Sequence, residues 1–287
     1  PPGQKDPGDP KKMNADELFH AGEWLDKFRR TEEALVYYRE ALSRDPRDSR
    51  VNTEMGFLAL KQGRWEEALK HFEIALERDS DNSRLYYGKG LALAGLRKFT
   101  EAYDQFYRAT YTYEFMSAAY LKLAEIDMRN GEWGMALAKL ARAEVQNAKF
   151  ADLHALKAAA LRQLGQHQKA LEAAEKAVEA DPMHFQGGYE KLLALKNLGL
   201  NTTEWEQVWN GYMRGALQNF MEMAVAYANA GLYADAGAVL ARAAGGKPDT
   251  ELNPLVNYLR GYFKEVSGDA AAADSFYTRA RKGPATY

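Results

Sequence analysis

No cysteine occurs among the 287 residues, which removes disulfides, thiolate metal sites, iron–sulfur clusters and thiol nucleophiles together. A missing residue type does not separate cytoplasm from periplasm, so the compartment stays open, with the cytoplasm as the expectation. Neither sign of charge is in excess: 38 Lys and Arg oppose 40 Asp and Glu for a net charge of −2. Without the cationic surplus that grips a phosphate backbone, nucleic acid is not an expected partner. No apolar run approaches the roughly 18 residues of a membrane span, so no membrane span is expected. Proline is scarce, and four of the 9 (Pro1, Pro2, Pro7, Pro10) stand in the opening PPGQKDPGDPKKM with Gly3 and Gly8. Residues 1–14 are therefore expected to be a linker, extended or mobile as far as about residue 13, with the natural protein beginning upstream. The rest, at 46% hydrophobic and 27% charged over the whole chain, has the composition of a folded protein.

Internal self-similarity organises that remainder. Aligning EEALVYYREALSRDP (32–46), EEALKHFEIALERDS (66–80), TEAYDQFYRATYTYE (100–114), GMALAKLARAEVQNA (134–148) and QKALEAAEKAVEADP (168–182) places Ala34, Ala68, Ala102, Ala136 and Ala170 at an unbroken 34-residue spacing. A fixed period of that length marks stacked supersecondary units. Twelve residues before each alanine comes a small residue: Gly22, Gly56, Gly90, Ala124 and Ala158. Five before it, where a hairpin turn would lie, stand Gly63, Gly131 and Gly165, with Arg29 and Arg97 as substitutes. Trp65, Phe99 and Trp133 follow the turn, and a second alanine recurs at Ala41, Ala75, Ala109, Ala143 and Ala177. Small residues at fixed points let the two helices of a pair approach closely, while larger apolar residues fill the surrounding holes.

These positions resemble the tetratricopeptide repeat family over about 270 residues. The register predicts helices near 15–28, 31–44, 49–62, 65–78, 83–95, 99–112, 115–130, 133–146, 150–164 and 167–180. Beyond 183 the pattern weakens and returns, with helices near 185–198, 203–215, 217–230, 233–244, 252–266 and 270–282. The expected fold is all-α, a right-handed α-solenoid of about eight hairpins over 15–282. Its repeats lie near 15–46, 49–80, 83–114, 115–148, 150–182, 185–215, 217–247 and 252–282, with 283–287 as a tail. The sixth is degenerate: Glu204 and Gly211 take the alanine positions, Thr203 to Glu206 reads as a capping box ahead of Trp205 and Trp209, and the pair should splay. The spacer GGKPDTELNP (245–254) reads as a longer loop, not a domain boundary.

A narrower resemblance is to the repeat region of bacterial proteins that carry an upstream uncharacterised domain similar to the galactose-mutarotase β-sandwich. It rests on AGEWLDKFRRTEEALVYYREAL (21–42), YGKGLALAGLRKFTEAYDQFYRATYTYEFMSAAYLKLAEID (87–127) and NPLVNYLRGYFKEVSGD (253–269). It implies a carbohydrate-linked role for the parent protein, with that chemistry in the upstream domain.

A search for chemistry finds no enzyme and no cofactor. His20, His71, His154, His167 and His184 are scattered without the i, i+4 pairing of a helical zinc site. Gly88, Gly90 and Gly95 miss both nucleotide-loop spacings, and Gly90 already has a packing position. Asp79, Asp81 and Ser83 begin like a calcium loop, but Arg84 and Gly90 stand where Gly and Glu are required. No G-x-S-x-G elbow occurs. The aromatic cluster Tyr103, Phe106, Tyr107, Tyr111, Tyr113, Phe115 and Tyr120 could stack on sugar rings. Packing between repeats three and four is the preferred reading.

The family resemblance implies a concave groove lined by positions 2, 5, 9, 12 and 13 of each repeat. Repeat two supplies Arg50, Thr53, Phe57, Leu60 and Lys61, and repeat three Arg84, Tyr87, Leu91 and Ala94. Repeat four supplies Leu121, Glu125, Met128 and Arg129, repeat five Asp152, Arg162 and Gln163, and repeat six Tyr189, Leu193 and Lys196. Apolar and aromatic anchors with charged edges suit a protein segment. The Lys and Asn clamp of chaperone-tail receptors is missing, since Thr53, Phe57, Gly88, Ala118 and Lys122 occupy its positions. The expected role is a non-catalytic scaffold binding a peptide, a partner protein or a neighbouring upstream domain. The alternative is an accessory region of a carbohydrate-active protein whose groove aromatics touch glycan. At the C-terminal edge Phe276 is expected to be exposed or covered only by the tail, with the natural protein continuing into another repeat.

Overall fold

The computed structural model describes residues 7–243 and 253–282. Among these the secondary structure is helical, without a strand. The first helices are α1 (Ala15–Lys27), α2 (Thr31–Arg44), α3 (Ser49–Lys61), α4 (Trp65–Leu76), α5 (Ser83–Gly95) and α6 (Phe99–Ala109). Next come α7 (Tyr113–Arg129), α8 (Trp133–Gln146), α9 (Ala151–Gln163), α10 (His167–Ala180) and α11 (Phe185–Asn197). The series ends with α12 (Thr203–Met213), α13 (Leu217–Asn229), α14 (Tyr233–Ala243), α15 (Pro254–Val266) and α16 (Ala270–Lys282). Consecutive helices pack as antiparallel hairpins, giving the all-α solenoid of the repeat register. The chain divides into two compact units, Pro1–Ala119 and Tyr120–Tyr287, a division that the periodicity does not announce.

Local chemistry sets the hairpin ends. Asn14 and Glu17 form a reciprocal capping box on α1, and the side chains of Asp48, Asn82 and Asn253 accept backbone N–H groups at the starts of α3, α5 and α15. Gly63, Gly131 and Gly165 turn the chain at positive φ, and Arg29 and Arg97 adopt the same left-handed conformation with φ of 61° each. For a residue with a Cβ that conformation costs about 1–2 kcal/mol, so the turn is imposed by the packing of the helices on either side.

Within the hairpins, small residues on the first helix face large ones sixteen positions later on the second. A Cβ added to Gly22, Gly56, Gly90 or Gly261 would lie 2.4–2.7 Å from the rings of Tyr38, Phe72, Phe106 and Tyr277 respectively. Where alanine replaces glycine, at Ala124, Ala158 and Ala224, the residues sixteen on are Leu140, Ala174 and Leu240, all fully buried. Phe72 is held by two hairpins, because Gly88 of the next one also lies against its ring.

Four expectations change. Residues 7–13 are not a free linker: Pro10–Lys12 form a 3₁₀ turn capped by Asp9. The Tyr37 hydroxyl donates to the carbonyls of Pro7 and Gly8, and the Arg44 guanidinium to those of Pro10, Lys11 and Met13. A segment poor in internal hydrogen bonds is fixed by donors on α2. Thr203 is not a capping residue; α12 is preceded by Thr202 without a side-chain cap, Asn201 accepts the Thr203 N–H, and Glu206 pairs with Arg242 instead. In the degenerate hairpin the seam moves one turn along α11: Trp209 packs against Gly188, where a Cβ would lie 2.6 Å from the indole, and donates its Nε1–H to Phe185 O. Phe276 is half-buried, its ring flanked by Arg260 and Arg279. Residues 1–6 of the expected linker, 245–252 of the spacer and the tail 283–287 lie outside the described residues.

Candidate protein-binding face

In the first unit the initial helices of successive hairpins, α1, α3 and α5, carry a series of rings and guanidiniums. Arg50 stacks 5.0 Å over the Phe19 ring and pairs with Asp16 at 2.7 Å and Asp48 at 3.1 Å. Those carboxylates raise its pKa further above the ordinary arginine value. One repeat later, Arg84 stacks 4.6 Å over Phe57 and grips both oxygens of Glu54 at 2.6 and 3.1 Å. Tyr87 then meets Phe106 and Phe115, with ring centroids 5.7 and 5.5 Å apart. Phe57, Arg84, Tyr87 and Leu91 are half-buried and Arg50 is exposed, so this face offers flat apolar area and fixed charge to solvent at once. Each guanidinium is held in place by its carboxylate, which limits the side-chain entropy that a ligand would have to restrain.

The second unit treats the corresponding positions differently. Leu121 and Tyr189 are buried, at 7% and 6% exposure. Tyr189 packs on Trp209 and Tyr227, and burial raises its pKa. Arg162, 12% exposed at its side chain, forms a fork with fully buried Glu190 at 2.9 and 3.0 Å and a further pair with Asp235 at 3.1 Å. Burial alone would lower the Arg162 pKa, but the Glu190 hydrogen bonds and the two carboxylates hold it above its ordinary value. Burial pushes the Glu190 carboxyl up, opposed by Arg162 and by the Tyr227 hydroxyl, which donates to it at 2.7 Å. Arg129 donates to the carbonyls of Ala228 and Asn229 at 2.8 Å each, and to the Tyr233 hydroxyl. Glu125 is closed on Lys122 at 2.8 Å.

The expected groove residues therefore separate by unit. Arg50 is exposed and Phe57, Arg84, Tyr87 and Leu91 are half-buried in the first unit, whereas in the second Leu121 is buried and Arg129, Arg162 and Tyr189 contact α13 or α14. Phe19 and Asp16 were absent from the expected set although each stands 34 residues before a groove position, Thr53 and Arg50. Glu54 and Phe115 carry no such signal. The aromatic cluster also divides: Phe106 and Tyr120 are buried, but Tyr111 and Tyr113 are 73% and 74% exposed, so packing accounts for only part of it. Among the described residues no group of three or more His, Asp or Glu side chains is arranged to hold a metal. No described helix is long and apolar enough to cross a membrane.

Two tetratricopeptide repeat signatures match the sequence, one over residues 53–118 and the other over 151–184. The chain carries tetratricopeptide repeats. Such repeats generally mediate protein–protein contacts. Among solved structures, pilF from Pseudomonas aeruginosa superposes with a TM-score of 0.62 at 16% identity, covering 71% of this chain and 94% of that one. PilW, a type IV pilus biogenesis factor, gives 0.62 at 18% identity over 69% and 94%. YrrB, a tetratricopeptide repeat protein with an unusual peptide-binding site, gives 0.52 at 24% identity over 62% and 92%. These likenesses are of fold. A comparison with curated proteins finds no match.

Proposed function

We propose that this tetratricopeptide repeat chain is a non-catalytic scaffold that binds an extended protein or peptide segment along α1, α3 and α5. The observation that carries this reading is the repeated arginine-on-ring pairing, Arg50 on Phe19 and Arg84 on Phe57, left accessible on neighbouring hairpins. Rings supply most of the contact area, and the ion-paired guanidiniums set register through hydrogen bonds to backbone carbonyls or acidic side chains of the segment. Selection of a displayed random-peptide library on the intact chain tests the reading. Enriched peptides should lose at least about tenfold in affinity on Phe57→Ala and on Arg84→Glu, the scale of a hot-spot residue, and should keep it on Val145→Ser, an exposed site in the second unit. Peptides indifferent to both substitutions would place binding elsewhere.

A further inference from the structure

The second unit has filled its own inner face. Tyr233 and Asp235 lie in the first turn of α14, and the arginines that receive them, Arg129 and Arg162, come from α7 and α9, 104 and 73 residues away in sequence. The approach is close. A Cβ on Gly231, in the turn between α13 and α14, would lie 2.8 Å from the Arg129 Cα, and Gly231 itself has φ of 75°. Tyr227 of α13 seals the arrangement by donating to Glu190 of α11.

Three features distinguish this contact from ordinary stacking of repeats. It is built around guanidinium forks, a buried carboxylate and a tyrosine hydroxyl. Ion pairs of that kind specify a docked geometry while adding little net stability, since desolvation offsets the attraction. It skips along the chain, joining the seventh hairpin to the fourth and fifth. Lastly, the α13–α14 hairpin hangs from two successive left-handed residues, Arg214 at φ 51° and Gly215 at φ 63°, after the hairpin whose small-residue seam is shifted to Gly188 and Trp209. Few backbone angles need change there to swing it.

We propose that α13–α14 is a self-docked plug that occupies the inner face of α7, α9 and α11, and that it opens about Arg214–Gly215 as a unit, uncovering Arg129, Arg162, Glu190 and Tyr189. The docking signal is a tyrosine and an aspartate two residues apart at a helix start, read by two arginines.

Hydrogen exchange of the intact chain tests this with the isosteric double variant Tyr233→Phe/Asp235→Asn, chosen because it spares buried Glu190. Amides of 217–243 should exchange at least about tenfold faster than in the wild type, while those of α10 and of α3 to α6 stay within about twofold, as expected for a separable opening unit. Circular dichroism at the wild-type level would show that the variant remains folded. Unchanged exchange in 217–243 would mean that the arginine contacts do not hold the hairpin. An equal acceleration in α10 would mean that the hairpin is part of one cooperative core, and either result overturns the proposal. No partner and no residue of the first-unit face enters this measurement, so it fails or succeeds independently of the peptide-binding reading.

Discussion

Replacing Gly56 by alanine sets two effects of opposite sign against each other. In a helix interior alanine is favoured over glycine by about 1 kcal/mol, so a helix with free space beside the glycine gains. Gly56 has none: its new Cβ would lie 2.7 Å from Cε1 and 2.8 Å from Cζ of Phe72, a fully buried ring. The ring has little room to withdraw, because Gly88 of α5 also lies against its Cε1 and Cζ and Phe57 packs edge-on at 5.1 Å. Overpacking of this kind costs about 1–3 kcal/mol, which leaves a net loss of up to about 2 kcal/mol after the propensity gain of about 1 kcal/mol. Gly237, inside α14 with nothing within 4 Å of a Cβ, is the control and should gain up to about 1 kcal/mol as alanine. Urea denaturation followed by circular dichroism reads both as shifts of midpoint, provided the slope is unchanged. A Gly56→Ala chain more stable than wild type, or a Gly56→Ala midpoint shifted upward as far as that of Gly237→Ala, would refute the paired-seam account.

Ala68→Leu and Ala102→Leu, both at fully buried positions, should each cost about 1–3 kcal/mol by overpacking, whereas Ala271→Leu on an exposed turn should be nearly neutral; equal losses in the same denaturation assay would contradict the register. Arg162→Met strands Glu190 in the core and should cost about 3–5 kcal/mol, with much of the loss recovered when Glu190→Leu is added; thermal melting of the single and double variants decides this. The hydrogen bond from His184 Nε2–H at 2.9 Å holds the Asp152 carboxyl below its ordinary value. A depressed carboxylate contributes stability above its unfolded pKa of about 3.9 and loses it as pH falls through the folded value. Wild type should therefore melt above Asp152→Asn at neutral pH, with the gap closing below about pH 4; a gap that widens on acidification would reverse the sign of the argument.

The 34-residue spacing of Ala34, Ala68, Ala102, Ala136 and Ala170 was sufficient to place the hairpins, because the contacts within a hairpin join residues about sixteen apart and are written into each repeat. The turn positions Gly63, Gly131 and Gly165, with the substitutes Arg29 and Arg97, were legible for the same reason, and only the structure showed that all five adopt positive φ. Arg50, Phe57, Arg84, Tyr87 and Leu91, which the resemblance places at groove positions, are exposed or half-buried. The state of the groove positions in the second unit depended on contacts that periodicity does not encode. Arg129 meets Tyr233, and Arg162 meets Asp235, across intervals set by the accumulated angles between hairpins and by the shifted Trp209 seam in the degenerate sixth repeat. Register determines which side of a helix a residue occupies, but whether that side meets solvent or another helix depends on where the chain returns, and only the tertiary structure decided that α13 and α14 return to meet Arg129, Arg162 and Tyr189.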